Sequence, residues 1–275
     1  MTISKIHPLA VVHQGAQLDE SVEVGPFSII GEHVRVGAGT TIGSNVIIDG
    51  WTTIGCNCRI FHGAVLGTEP QDLKYKGEKS YVKIGDNNLI REFVTVHRAT
   101  SDEGVTQIGD NNFLMAYVHI GHNCIIGSNT LIANATSLAG HVDVEDRAVI
   151  GGMSGVHQFV RVGSLAMVGG YARVVKDVPP YSMVWGQPAR LFGLNIVGLK
   201  RQKISQEVRG NLKRAYRIIA QKSRLLALEE IKTQIAPGPE IAHLIKFLES
   251  PSKMGIILRR VNDSEASSSM NLTAP

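Results

Sequence analysis

Between residues 6 and 174, every sixth position carries an aliphatic side chain. The count runs Ile6, Val12, Leu18, Val24, Ile30 and on to Val174, and 26 of the 29 positions are Ile, Leu or Val. Those residue types make up about a quarter of the chain, so composition alone does not produce the run. Period six fits neither an amphipathic helix nor a simple alternating strand. It predicts a coil of short flat strands in which one residue in six points inward. Three hexads close one triangular coil. Coils stacked at the strand spacing of about 4.8 Å, nine or ten of them, would form a prism roughly 45 Å tall. Neighbouring coils would supply each other's hydrogen bonds and apolar contacts, as in other solenoids. Gly follows the aliphatic residue in 13 of the 26 cases, Gly25, Gly31, Gly37 and Gly43 among them. A glycine there suits a corner whose φ is positive.

The three exceptions are Asp72, Glu78 and Asp102. They fall in 67–83 and 98–107, which read as loops leaving the prism, a place where solenoids often carry function. The repeat ends at Asp177-Val178-Pro179-Pro180-Tyr181 and Gly186-Gln187-Pro188-Ala189-Arg190, where prolines are expected to stop further pairing. From about Leu199 the period changes. Ser205 can cap a helix whose apolar residues are Val208, Leu212, Ala215, Ile218 and Ile219, at spacings of three and four. Leu225–Ile235 and Glu240–Leu248 read as two more helices. The expected organisation is mainly β: a parallel β-helix of hexapeptide repeats over 1–190, a C-terminal α-helical domain over 191–261, and a Ser-rich, disordered tail over 262–275.

Composition sharpens this picture. Hydrophobic residues reach 43% of the 275, but aromatics only 5%, against 29 glycines. Small branched side chains suit a narrow interior. No basic segment followed by an apolar run opens the chain, and no window approaches eighteen apolar residues, so neither a signal peptide nor a transmembrane segment is expected. Cys56, Cys58 and Cys124 are an odd count, which points to a reducing cytoplasm. Cys56 and Cys58 lack the second pair that a structural zinc site needs.

The net charge is +4, with a pI near 9.0. It is unevenly spread: 199–261 carry 14 Lys and Arg against 5 Asp and Glu, while 1–198 are net −3. The basic character therefore belongs to the helical segment. It fits an acidic protein partner, a phosphate-bearing ligand or a solvated face. Nucleic acid fits poorly, because the segment has no zinc-finger spacing and little aromatic interleaving.

Five of the ten histidines lie between 97 and 157: His97, His119, His122, His141 and His157. A position three hexads further along the chain stands one coil above, so Gly140 stands above His122, and Gln158 above Gly140. His122, Gly140/His141 and His157/Gln158 should form a column on one edge, with His119 just before it. Two chemistries compete there. Stacked neutral imidazoles can hold Zn²⁺. Alternatively, one His is a general base and Gly140 offers an unobstructed N–H to an oxyanion. Zinc has no need of the glycine, so the glycine argues for acyl transfer.

The loop Gln71-Asp72-Leu73-Lys74-Tyr75 and the motifs Val96-His97-Arg98, His119-Ile120-Gly121-His122, Leu138-Ala139-Gly140-His141 and Val156-His157-Gln158-Phe159 resemble one family. Asn195-Ile196 and Gly198-Leu199-Lys200-Arg201 complete the likeness. It is the UDP-N-acetylglucosamine O-acyltransferases, the first enzymes of lipid A biosynthesis. The similarity covers about 6–260. It implies a left-handed β-helix, an exception to the right-handed crossover preference, and a homotrimer with sites between subunits. It implies no cofactor and no metal.

By this resemblance His122 is the base that deprotonates the sugar 3-hydroxyl, and Gly140 the oxyanion amide. Asp72 and Lys74 bind the glucosamine, and Gln71 contacts the hydroxyl of a 3-hydroxyacyl chain. His97, His119 and His141 belong to the sugar site. His157 and Gln158 lie toward the nucleotide, which Asn195 and Arg201 contact. Acyl carrier protein, itself acidic, is the implied donor and a partner for the basic helices. Gly170 matches the position that limits acyl length. Its missing side chain implies a long chain of roughly twelve to fourteen carbons, each buried CH₂ being worth about 0.8 kcal/mol.

Two residues depart from the family pattern. Asn123 stands where Asp often follows the catalytic His. It can accept one hydrogen bond from the imidazole but brings no charge, and a backbone carbonyl could orient the ring instead. Val197 stands where a Glu often contacts the nucleotide, which loosens the expectation of uridine selectivity. Competing readings are a trimeric zinc enzyme resembling the γ-class carbonic anhydrases, a hexapeptide acyltransferase with another acceptor such as the 3-amino sugar, and a non-enzymatic scaffold.

Overall fold

The computed structural model describes residues 5–258. Strands mostly two residues long wind into a left-handed parallel β-helix with three flat faces, sheets of nine, eight and ten strands. Along an uninterrupted run the register is three hexads: His119 faces Ser137, and Ser137 faces Gly155. The loops are shorter than expected, because Val65–Thr68, Tyr81–Ile84 and Val105–Ile108 are strands; the chain leaves the prism over 69–80 and 98–104 and enlarges two coils without breaking phase. Val65 pairs with Thr95, five hexads on, and Thr95 with His119, four hexads on. The surpluses are whole hexads, so the aliphatic count resumes in step after each loop.

Two residues in six face inward rather than the one expected: the aliphatic of each hexad and, two positions before it, a smaller residue such as Val34, Val46, Cys58 or Ala64. Ile30, Ile48, Leu66, Ile90, Ile120 and Leu138 are fully buried. Each such side chain contributes about 1.5–3 kcal/mol over an exposed one. Buried hydroxyls beside these side chains have partners in the next coil: Ser28 Oγ donates to Gly43 O at 2.7 Å, Thr136 Oγ1 to Gly151 O at 3.0 Å.

The corner glycines play a different role from the one expected. Positive φ falls three residues after the inward aliphatic, at Asn57, Asn87, Asn111, Asn123 and Asn129 among others. The glycine one residue after the aliphatic is left-handed only at Gly67. Those glycines answer a steric demand. A Cβ on Gly25, Gly37 or Gly121 would come within 2.7, 2.9 or 2.8 Å of backbone atoms in the next coil.

The prolines also stop less than expected. After Pro179-Pro180 one more parallel strand, Ser182–Gly186, pairs with Met167–Val168. It then turns back antiparallel as Ala189–Leu194, so residue 190 falls inside a strand. Four helices follow: α1 (Ile196–Arg201), α2 (Gln206–Gln221), α3 (Arg224–Gln234) and α4 (Pro239–Glu249). Ser205 Oγ accepts from Val208 N at 3.2 Å, the N-cap that its residue type favours. The buried face of α2 carries Leu212, Ala215, Tyr216 and Ile219. The helices are tied to the prism through α2, whose Tyr216 Oη donates to Pro180 O, and through α4. Arg161 pairs with Asp177 at 2.7 Å and lies over the Phe247 ring, and His243 bridges Tyr181 and Glu145. The tail over 262–275 lies outside the described residues.

Candidate active site

His122 and Asn123 occupy the turn after the strand His119–Ile120. Asn123 is left-handed, with φ of 58°, a conformation asparagine tolerates well. The turn brings His122 Nδ1 to 2.9 Å from Asn123 Oδ1. The backbone N–H of Thr100 donates to the same oxygen at 3.1 Å, and Thr100 Oγ1 at 3.0 Å. A backbone N–H cannot reverse its role, so the oxygen end of the amide faces the imidazole. Nδ1 therefore carries the proton and Nε2 the lone pair. Of the two ways of orienting the ring, the side chain of Asn123 is the one used.

Nε2 faces Asp72 Oδ2 at 3.9 Å, across the gap between the turn and the first loop. The loop is tightly wound here, with Lys74 N donating to Asp72 Oδ1 at 2.9 Å and Tyr75 N to Asp72 O at 3.0 Å. On the other side the ring rests on Gly140. A Cβ there would stand 2.3 Å from Nε2 and Cε1, so only glycine admits the imidazole. Among the described residues the Gly140 N–H donates to no protein acceptor.

More imidazoles surround this centre. His141 meets the His122 ring edge-on at 5.2 Å and stacks on Phe159 at 4.7 Å. Lys253 Nζ lies 4.0 Å from the centroid of Phe159. His97 and His119 pack edge to face at 4.9 Å, and Thr95 Oγ1 bonds His119 Nδ1 at 2.8 Å. Burial pulls His97 down to about 4, with the neighbouring His119 and His122 adding to the effect. Burial likewise lowers His119 and His141, and His122 pushes both further down. Each shift favours the neutral imidazole. Among the described residues no three His, Cys, Asp or Glu side chains converge as a metal-holding group.

One edge of the prism thus gathers Asp72, His97, His119, His122, Gly140 and His141. His157 and Gln158 lie one coil further along it, exposed, with His157 Nδ1 3.1 Å from Gln158 O. Gln71 and Lys74 are exposed on the first loop. The remaining predicted residues sit on other edges of the same chain. Gly170 occupies the next corner, where its carbonyl accepts from Trp185 Nε1 at 2.8 Å. Asn195 stands beside the third. Its oxygen caps α1 by accepting from Gly198 N at 2.9 Å, and its nitrogen donates to Leu165 O at 3.0 Å. Arg201 is exposed at the end of α1, and Val197 is exposed on its first turn.

Two residues outside the sequence-derived set hold this geometry, Thr100 and Arg98. Arg98 is buried, and its guanidinium bonds Gly67 O at 3.1 Å and Tyr75 Oη at 2.9 Å. In the sequence Arg98 closes the family-like motif Val96-His97-Arg98, but nothing there shows that it reaches the first loop.

Comparison with known proteins agrees with this architecture. Residues 106–140 match the bacterial transferase hexapeptide repeat, and residues 177–257 match domain 2 of UDP N-acetylglucosamine O-acyltransferase. An acyl-[acyl-carrier-protein]--UDP-N-acetylglucosamine O-acyltransferase of Thiobacillus denitrificans is 50% identical over 258 residues, 93% of this chain and all of that one. Among solved structures, the UDP-N-acetylglucosamine acyltransferase of Francisella novicida is 38% identical, with a TM-score of 0.88 over 98% of this chain and all of that one. A related structure from Acinetobacter baumannii is 43% identical, with a TM-score of 0.89 over 92% of this chain and 99% of that one. With a left-handed hexapeptide prism, a matching helical segment and full-length relatives at half identity, this chain belongs to the UDP-N-acetylglucosamine O-acyltransferase family.

Proposed function

We propose that this enzyme moves a 3-hydroxyacyl chain from acyl carrier protein to the glucosamine 3-hydroxyl of UDP-N-acetylglucosamine, in lipid A biosynthesis, with His122 as general base. The observation that carries the mechanism is the contact of His122 Nδ1 with Asn123 Oδ1, which the Thr100 N–H identifies as the oxygen of the amide. The His122 Nδ1–H is held by Asn123 Oδ1, which leaves the Nε2 lone pair open between the Asp72 loop and Gly140. Nε2 removes the proton from the 3-hydroxyl as its oxygen attacks the thioester carbonyl. The tetrahedral oxyanion is met by the Gly140 N–H. On collapse the C–S bond breaks, and the leaving thiolate takes the proton from the His122 imidazolium. Asp72 accepts from a sugar hydroxyl and Lys74 binds nearby, while His141 walls the pocket with Phe159 behind it. Gln71 contacts the acyl 3-hydroxyl.

The scatter of the other residues supports a homotrimer with sites between subunits. His122, Gly170 and Asn195 lie along three different edges of one prism, and a three-fold assembly sets an edge of one chain beside a different edge of the next. Within such a site Gly170 leaves room for the distal acyl chain, and Asn195 and Arg201 face the nucleotide with His157 and Gln158. The carrier protein docks on the basic helices. A cleft of about 440 Å³ lies there, lined by Met183, Phe192, Leu194 and Ile196 with Lys213 and Arg217 at its rim. No helix among the described residues is long and apolar enough to cross a membrane. A cytoplasmic location follows from the carrier-protein donor.

The test is a direct transfer assay with purified protein. UDP-N-acetylglucosamine and its 3-amino analogue are each offered 3-hydroxyacyl carrier proteins of graded length. Transfer to the hydroxyl sugar with a preference for long chains supports the reading. Faster transfer to the amine would reassign the acceptor, and transfer from coenzyme A alone would remove the carrier protein.

A further inference from the structure

Arg98 is 8% exposed and takes no part in the chemistry above. Burying a guanidinium is costly unless its donors are met, and here they are met by one loop. Nη1 donates to Gly67 O at 3.1 Å. Nη2 donates to Tyr75 Oη at 2.9 Å and to Glu69 Oε1 at 3.2 Å, and Nε to Tyr75 Oη at 3.2 Å. The guanidinium carbon also lies 5.5 Å from the Tyr75 ring centroid. These partners flank Asp72, with Gly67 and Glu69 before it and Tyr75 after. Arg98 therefore ties together the two ends of the segment that presents Asp72 to His122.

Its own backbone is anchored to the two ends of the same loop. Arg98 N donates to Thr68 O at 3.1 Å, and Ser80 Oγ donates to Ala99 O at 2.5 Å. Two residues further on, Thr100 holds the Asn123 oxygen that orients His122. One short stretch of chain thus touches both sides of the 3.9 Å gap between Asp72 and His122.

We propose that Arg98 is a positioning residue for the acyl acceptor. Through Gly67 and Tyr75 it registers the Asp72 loop against the His122 turn. The inference rests on the placement of sugar and base in the proposed function. Lysine cannot replace it, because a single ammonium on a flexible stem does not reach Gly67 O and Tyr75 Oη with the geometry of a planar fork.

The experiment is a double-mutant cycle on the full-length enzyme with UDP-N-acetylglucosamine as variable substrate. It compares Arg98→Lys, Asp72→Asn and the double variant. Tyr75→Phe serves as a second route, since it removes one partner and leaves the buried charge in place. Arg98→Lys and Tyr75→Phe should each raise KM for the sugar nucleotide about tenfold, with a smaller change in kcat, as expected for a misplaced contact group. Combined with Asp72→Asn, neither should cost more than Asp72→Asn alone. The acid limb of the pH profile should stay where it is, since Asn123 still orients His122. Fully additive losses, or unchanged KM in a folded Arg98→Lys and Tyr75→Phe, would overturn the proposal. If Arg98→Lys does not fold, the Tyr75→Phe cycle decides. His122→Ala assayed alongside separates the two ideas: turnover retained in that variant sinks the base assignment, whereas the cycle reports only on the loop.

Discussion

Two edges of the prism share one backbone and carry different side chains. Along one, the left-handed corner position is Asn57, Asn87, Asn111 and Asn129, then Arg147 and Leu165, with φ of 55–60°. Along the other, the same position in successive coils is Asn123, His141 and Phe159, with φ of 58°, 60° and 65°. Left-handed φ costs most L-residues about 1 kcal/mol or more, and asparagine less. Where the corner only has to turn, asparagine serves. Where a ring is needed beside His122, the chain carries the strain. The third edge makes the same point with Phe93, Tyr117, Met153 and Tyr171, an exposed apolar ridge running past Gly152 and Gly170. Ring side chains at this repeated position thus gather on two edges, one beside His122 and one running past Gly152 and Gly170, while the asparagine edge carries none.

The largest effect that would break this contrast is at His122. His122→Ala should lower turnover about 10²–10⁴-fold and leave the denaturation midpoint and oligomeric state in place, while Asn129→Ala should leave turnover unchanged. Equal activity losses at both would erase the distinction between the edges.

Gly140→Ala sharpens it further. The nearest atoms to a new Cβ belong to the His122 ring, 2.3 Å away, and a side chain can swing aside. Folding should be nearly unaffected, while turnover should fall about 10²-fold as the base and the oxyanion amide lose register. Gly121→Ala is the counter-case. Its Cβ would come within 2.8 Å of the Ala139 carbonyl carbon, which cannot move alone, so stability should drop and any lost activity should follow unfolding.

On the ridge edge, a Cβ on Gly170 would meet nothing nearer than Gly152 O, at 3.3 Å. Gly170→Met should fold and should shift the preferred donor toward shorter acyl chains in competition assays. An unchanged preference would remove Gly170 as the length-limiting position.

Asn123→Asp tests the tautomer. A carboxylate beside Nδ1 favours the imidazolium and raises the pKa of His122. The base must be neutral to act, so the acid limb of kcat/KM should move up by about one pH unit. A limb that does not move would mean that His122 is not the titrating base.

What the sequence reveals of all this follows from the same geometry. The hexads show because one inward position per strand tolerates nothing but a small branched side chain. The loops show because Asp72, Glu78 and Asp102 break that position. The column of His122, Gly140 and Gln158 is readable because three hexads make a coil and no loop intervenes above His122. The corner glycines mislead, because a missing side chain does not say whether φ or a neighbouring backbone forbids one. The six residues of α1 are too few to show a helical period. The role of Arg98 stays hidden because its partners lie 31 and 23 residues away, across a loop whose path no local pattern specifies.

The smallest effect is the most direct measure of corner strain. Arg147 occupies the asparagine edge, exposed, with φ of 59°. Arg147→Asn should raise stability by about 1 kcal/mol and leave turnover unchanged, as read from a denaturation midpoint and the transfer assay. His141→Asn relieves the same strain on the other edge but removes the stack on Phe159, worth about 0.5–1.5 kcal/mol. The two terms nearly cancel, so its midpoint should barely move while its turnover falls. If instead both variants gained stability and kept full activity, the histidine at that corner would be as replaceable as the arginine. The strain would then mark no function.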